Sequence, residues 1–157
     1  MPRMPDPDDE IEAATVAQFY DLSNRVVGGR SERARLEDAV ARMVNDYRAK
    51  SGLRPLATNE RLRNSARQHS EEMAREGYFS HDSPDGYTPF DRMLLAGYEF
   101  PGAENIAKGQ AQPASVLRGW LNSPGHRANI RNGRFRTIGV GVHLGAGGPW
   151  WTQHFGY

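Results

Sequence analysis

The chain has 157 residues, 38% of them hydrophobic and 25% charged, with a formal net charge of +1. That is enough chain for a single well-buried core, and the basic excess is too small to predict nucleic-acid binding. There are no cysteines, which excludes disulfides, thiolate metal sites and cysteine nucleophiles, and no apolar run approaches the ~18 residues of a membrane span.

Residues 1–35 read as an acidic linker. The first nine are rich in Pro and Asp, a composition that favours disorder, and they lack the basic-then-apolar order of a signal peptide. Ile11, Phe19, Leu22 and Val26 form a loose helical stripe ended by Gly28-Gly29, which predicts a short helix on that linker.

The folded domain is expected over 36–157. Leu36, Ala39, Val40, Met43, Val44 and Tyr47 recur at helical spacing and predict a helix from Leu36 to Lys50 with a full core-facing stripe. A second helix is expected from Asn59 to Arg75, lined by Leu62, Ala66, His69 and Met73 and stopped by Gly77. On that face His69 reads as a core histidine with one hydrogen-bond partner. Thr88-Pro89 is an N-cap and first position for a helix running from Phe90 to Ala96. GAENIAKG, residues 102–109, has too few apolar residues for a helix and reads as loop plus short strand. Pro113 opens a helix through Trp120, which Pro124-Gly125 interrupts. Ile138, Val140, Val142 and Leu144 alternate with Thr137, Gly139, Gly141 and His143, the pattern of a half-buried strand. After a glycine-rich turn, WWTQHFGY closes the chain as another strand. Helices followed by a hairpin predict an α+β layer fold.

Three residues stand in turn-rich contexts that can aim them at one point: His81, Glu104 and His126. Two imidazoles and a carboxylate are the ligand set of many catalytic zinc sites, although their spacing matches no local metal motif. Ser80, His81 and Asp82 are consecutive, so their side chains diverge and form no relay, and no nucleophile elbow surrounds Ser123. His143, on the polar side of a strand, and His154, near the terminus, read most simply as surface residues. Arg127, Arg131, Arg134 and Arg136 read as a solvated rim rather than a phosphate-binding patch, because no aromatic platform is interleaved with them.

The segments FSHDSPDG, GAENIA, W-x-x-SPGHRANI, IGVGV and WWTQHFG occur in that order. Together they resemble the CAP superfamily of cysteine-rich secretory, venom-allergen and pathogenesis-related proteins, over roughly residues 36–157. The lack of cysteine is similar to its bacterial branch. The resemblance implies an α-β-α sandwich with a central antiparallel sheet, helices on both faces and an open cleft. In the family that cleft carries two histidines and two glutamates, which bind zinc or another divalent cation in some members. Carried onto this chain, the histidines are His81 and His126 and the first glutamate is Glu104. The second glutamate position, three residues after Trp120, holds Ser123.

The resemblance further implies an extracellular or cell-envelope location and an unknown small-molecule, lipid or peptide ligand, with no nucleic-acid partner. Three functional readings follow: a binding module whose cleft holds a divalent cation, most simply zinc, together with a ligand; a metal-dependent hydrolase with Glu104 as general base; or a scaffold in which these residues form a buried polar network.

Overall fold

A computed structural model describes residues 26–27 and 30–157; the helix expected over Glu10–Val27 lies outside the described residues except at its end. There, Val26–Val27 (β1) is not helical but pairs antiparallel with Arg30–Ser31 (β2).

The first helix, α1 (Glu32–Lys50), starts four residues before the apolar stripe because Ser31 caps it, its side chain accepting from the Ala34 amide. After the short β3 (Ala57–Thr58) comes α2 (Glu60–Glu76), capped by Asn59 and closed by Gly77 in the left-handed conformation, φ 71°. Thr88 and Asp91 form a reciprocal capping box at the start of α3 (Pro89–Leu95). The segment expected as loop plus short strand is strand throughout, the eight-residue β4 (Pro101–Lys108). Its low hydrophobicity misled the periodicity reading, since its polar residues Glu104 and Asn105 are buried among polar partners rather than exposed. Pro113 and Pro124 each take a first-turn position, opening α4 (Pro113–Leu121) and α5 (Pro124–Ile130). Pro124 therefore begins a second helix rather than merely ending one. The chain closes with β5 (Thr137–His143) and β6 (Trp150–Gly156).

The four-stranded sheet has the order β3-β5-β6-β4. Its long strands are antiparallel, and only the two-residue β3 runs parallel to β5. Helices cover both faces, as an α+β layer fold requires. On one face Ile138, Val140, Val142, Trp151 and Phe155 pack with Val40 and Val44 of α1, Val116 and Trp120 of α4, and Ile130 of α5. The opposite face receives α2 and α3. Here β5 is not half-exposed: Gly139 and Gly141, which looked like its solvent side, are where α2 lies against the strand. A Cβ on Gly139 would sit 2.2 Å from the Leu62 carbonyl carbon, and one on Gly141 2.2 Å from the Arg67 nitrogen. Glycine at alternate positions is what lets a helix axis come this close.

The edge of β5 beyond β3 is closed by a side chain. Buried Glu37 of α1 accepts from the Val142 amide at 3.4 Å and pairs with Arg63 and Arg67 of α2. Burial pushes the Glu37 carboxyl up, against the pull of these arginines.

Candidate functional site

Strand register builds the centre of the site. Glu104 of β4 is paired with His154 of β6, and His154 in turn with Gly139 of β5. Paired residues project to the same side of a sheet, so Glu104 and His154 both point at α2, where no side chain on Gly139 competes for space. His154 is fully buried, with Nε2 2.7 Å from Glu104 Oε2 and Nδ1 2.6 Å from Ser65 Oγ of α2. The expectation that His154 is a surface residue fails for this reason: closeness to the C-terminus says nothing about which side of a central strand a residue occupies.

The second carboxylate oxygen faces the loop after α2. His81 Nδ1 lies 2.8 Å from Glu104 Oε1, and the His81 side chain is 52% exposed while that of Glu104 is 1% exposed. An ionised carboxylate only accepts. His81 therefore carries its proton on Nδ1 toward Glu104, leaving Nε2 as the ring nitrogen free to meet solvent or a ligand. Arg92 of α3, also buried, reaches Glu104 Oε2 at 3.4 Å and donates to the backbone carbonyls of His81 and Tyr87 and to Ser83 Oγ. One guanidinium thus shapes the 81–87 loop and neutralises the buried carboxylate beneath it.

His69 is buried, as the sequence predicted, but it also borders this group. Its Nε2 is 2.9 Å from the Ser80 carbonyl and 3.7 Å from Glu104 Oε1. Burial, reinforced by the nearby Arg92 and His154 charges, outweighs the pull of Glu104 and lowers the His69 pKa to about 4. Burial alone would raise Glu104, but the hydrogen bonds from His154 and His81 prevail and hold it at about 2. The hydrogen bond to Glu104 raises His81.

His126 sits in the first turn of α5, half-buried. Burial lowers its pKa, and the charge of His81 lowers it further. α5 is anchored across β4 by buried amides: Asn105 donates to the His126 carbonyl at 3.3 Å and to Gln153 at 2.9 Å, and Asn129 donates to Asn105 Oδ1 at 2.9 Å. The fold thus brings the His81 loop and α5 toward edge strand β4 from opposite faces of the sheet. Ser123 is the N-cap residue of α5 and makes no side-chain capping bond.

Of the sequence-predicted set, His81 and Glu104 are in direct contact, while His126 stands in the first turn of α5. Among the described residues no group of three or more His, Cys, Asp or Glu side chains is arranged to hold a metal ion. The donor chemistry gives the reason: both Glu104 oxygens are committed to imidazole N–H donors, and Arg92 already supplies a positive charge beside Oε2. Glu104 as arranged is an orienting partner of His81 rather than a third ligand. Sequence reasoning missed His154, Arg92 and Ser65. Alternation along β6 offers a partial signal for the first, since Trp150, Thr152 and His154 share one side; nothing local marks the other two.

A family model described as "Cysteine-rich secretory protein family" matches residues 41–155. An uncharacterised Bacillus subtilis protein, YkwD, is 40% identical over 148 residues, covering 94% of this chain and 57% of its own length. The crystal structure of an extracellular protein containing an SCP domain from Bacillus anthracis superposes with TM-score 0.75 at 33% identity, covering 85% of this chain and 45% of that one. An outer surface protein of Borrelia burgdorferi shares the fold, with TM-score 0.70 at 22% identity over 76% of this chain and 90% of that one. The chain therefore spans about half the length of the first two of these relatives.

Proposed function

This chain belongs to the cysteine-rich secretory protein (CAP) family, and on that footing we propose that it is an extracellular binding module. Its cleft, between the His81 loop and α5, holds a small or extended ligand through an acceptor oxygen such as a carboxylate. The observation that carries this reading is the His81–Glu104 pair: a buried carboxylate holds Nδ1–H of the half-exposed ring at 2.8 Å and raises its pKa, so that the protonated ring presents Nε2–H as a preoriented donor. His126 supplies a second imidazole on the other side of the cleft. At the end of the His81 loop and on α3, Tyr87, Asp91, Leu94 and Leu95 line a shallow hollow of about 310 Å³ that suits the apolar part of an amphipathic ligand. The extracellular location is supported by the Bacillus anthracis relative, and no helix among the described residues is long and apolar enough to cross a membrane.

In its neutral form the His81 ring offers the Nε2 lone pair instead of a proton, and a divalent ion then meets only His81 Nε2 and His126, with Glu104 behind His81 as the carboxylate that orients it. Two imidazoles make a weak site compared with the three protein ligands of catalytic zinc. Hydrolysis with Glu104 as base is disfavoured by the same geometry, since that carboxylate is enclosed and already hydrogen-bonded on both oxygens. Any general base here would be His81.

The test is an NMR titration of the histidine ring signals with N-acetyl-Ala-Ala, in free-acid and amide-capped forms, run in parallel with zinc calorimetry. The free acid is expected to shift His81 and His126 and leave His154 in place, while the amide shifts none of them. Rings of His81 and His126 that do not respond to the carboxylate would sink the reading. Zinc heats that are the same for the wild type and a His81→Ala/His126→Ala pair would remove the metal from it.

A further inference from the structure

Charge is segregated along this chain to an unusual degree. All 19 acidic residues occur at or before Glu104, and the 53 residues after it contain Lys108, Arg118, Arg127, Arg131, Arg134 and Arg136 with no acid among them. The fold concentrates this asymmetry instead of cancelling it. Arg127 lies on α5, Arg131 is its C-cap, and Arg134 and Arg136 lie on the turn into β5; all four are exposed.

Tertiary structure adds a fifth. Fully buried Arg48 donates Nε to the Arg54 carbonyl at 2.9 Å, and Nη1 to the carbonyls of Ile130 and Asn132 at 2.8 and 2.9 Å. This clamp brings exposed Arg54 from the α1–β3 connection alongside the 131–136 turn. Leu53 meets the same turn, its Cδ2 being 3.5 Å from where a Cβ on Gly133 would sit.

Among the described residues none of these five arginines has a carboxylate partner, whereas Arg33, Arg63 and Arg67 at the α1–α2 contact are all paired with acids. Arg127 and Arg136 instead donate one guanidinium nitrogen to backbone carbonyls of their own segment, and Arg134 lies over the Tyr157 ring. Each is held in place with donors to spare.

Like charges gathered without counter-charge create a field that attracts a polyanion, and guanidinium forks match phosphate oxygens in pairs. Tyr157 is already covered by Arg134, and the segment 127–136 itself carries no exposed aromatic ring, so these arginines are not interleaved with a platform on which nucleobases could stack. We propose that Arg54, Arg127, Arg131, Arg134 and Arg136 form a docking surface for a linear phosphate-bearing polyanion. The polymer lies along α5 and the turn after it, and binding there does not require the His81–Glu104 pair.

The experiment uses fluorescently labelled long-chain inorganic polyphosphate and the full chain, with anisotropy read at several salt concentrations from about 50 to 200 mM. Binding is expected at low salt, with a log–log salt slope of about −2 to −4, the release expected from a handful of neutralised phosphates. The triple variant Arg54→Gln/Arg131→Gln/Arg134→Gln is expected to weaken binding on the order of tenfold or more. A second triple, Arg35→Gln/Arg42→Gln/Arg75→Gln, removes the same charge from exposed positions elsewhere and should leave the affinity within about twofold if a local patch, not net charge, is responsible. Thermal melting of both variants at the wild-type temperature confirms that the fold is retained. Equal losses in the two triples, no binding at low salt, tighter binding to duplex DNA of equal charge, or binding to phosphatidylglycerol vesicles but not to polyphosphate would each overturn the proposal.

Discussion

The two faces of the central sheet are built on opposite principles. Toward α1, α4 and α5, β5 and β6 present Ile138, Val140, Val142, Trp151 and Phe155 to an apolar core, and the amides of Asn105, Gln153 and Asn129 appear only near the β4 edge. Toward α2 and α3 the sheet presents glycines, Thr152, His154 and Glu104, met by Ser65, His69 and Ser70 of α2 and Arg92 of α3. The first face is held by non-directional burial. The second carries two small apolar clusters, Leu62 with Met93 and Tyr98 and Met73 with Ile106 and Trp150, but between them it is held by close backbone approach and by hydrogen bonds whose partners are costly to leave unmade. One face supplies stability, and the other converts that stability into a fixed arrangement of ionisable groups. That is why the candidate site grows from the polar face.

Changes of similar size should therefore have unequal effects on the two sides. The largest is expected from Glu104→Ala, which leaves Arg92 and His154 facing each other without their carboxylate. A loss of about 4 kcal/mol is expected from urea denaturation. Gly141→Ala comes next, at about 3 kcal/mol, because a Cβ 2.2 Å from the α2 backbone must lift the helix. On the apolar face, Ile138→Val removes one methylene and should cost about 1 kcal/mol in the same assay. A Gly141→Ala cost no greater than that of Ile138→Val would erase the distinction between the faces.

Acid should also act through the polar face. His69 is held neutral, with its pKa lowered from 6.5 to about 4. The unfolded chain takes up that proton first, so stability falls as pH drops from about 6.5 toward 4. Glu104 is lowered from 4.5 to about 2, so its contribution is present above about 4.5 and is lost as pH falls through 2. Together they predict stability declining from just below neutrality, by roughly 3 to 4 kcal/mol before pH 4 is reached. In His69→Asn the upper part of that decline should disappear, and the decline should begin only below about pH 4.5; an unchanged profile would remove His69 from the account. For His81→Ala about 1 kcal/mol in stability is expected, because Glu104 Oε1 loses its donor at the exposed end of the group while Oε2 keeps its bonds to His154 and Arg92. What that variant should lose is the response of the cleft to carboxylate ligands.

Much of the scaffold was legible in one dimension. The stripe of α1, the Asn59 and Gly77 boundaries of α2, the Thr88-Pro89 start of α3 and the alternation of β5 all depend on interactions within a few residues, which sequence spacing records directly. β4 was not legible in the same way, because Glu104 and Asn105 are polar residues at buried positions and only their distant partners justify burying them. His81, Glu104 and His126 could be singled out, by turn context and by family resemblance, but not their division of labour.

By itself, then, the sequence determined most helix caps and stripes, the apolar face of β5, and that the chain carries a family's ordered set of segments. Only the tertiary structure decided that His154, and not His126, joins His81 as a direct partner of Glu104, that Arg92 sets a guanidinium beside the same carboxylate, and that the alternate glycines of β5 admit a helix instead of facing water. The physical reason is that capping and periodicity act over one or two turns of chain. The charge and hydrogen bonding of a buried carboxylate are set by groups 12 to 50 residues away that strand register and helix docking bring to it.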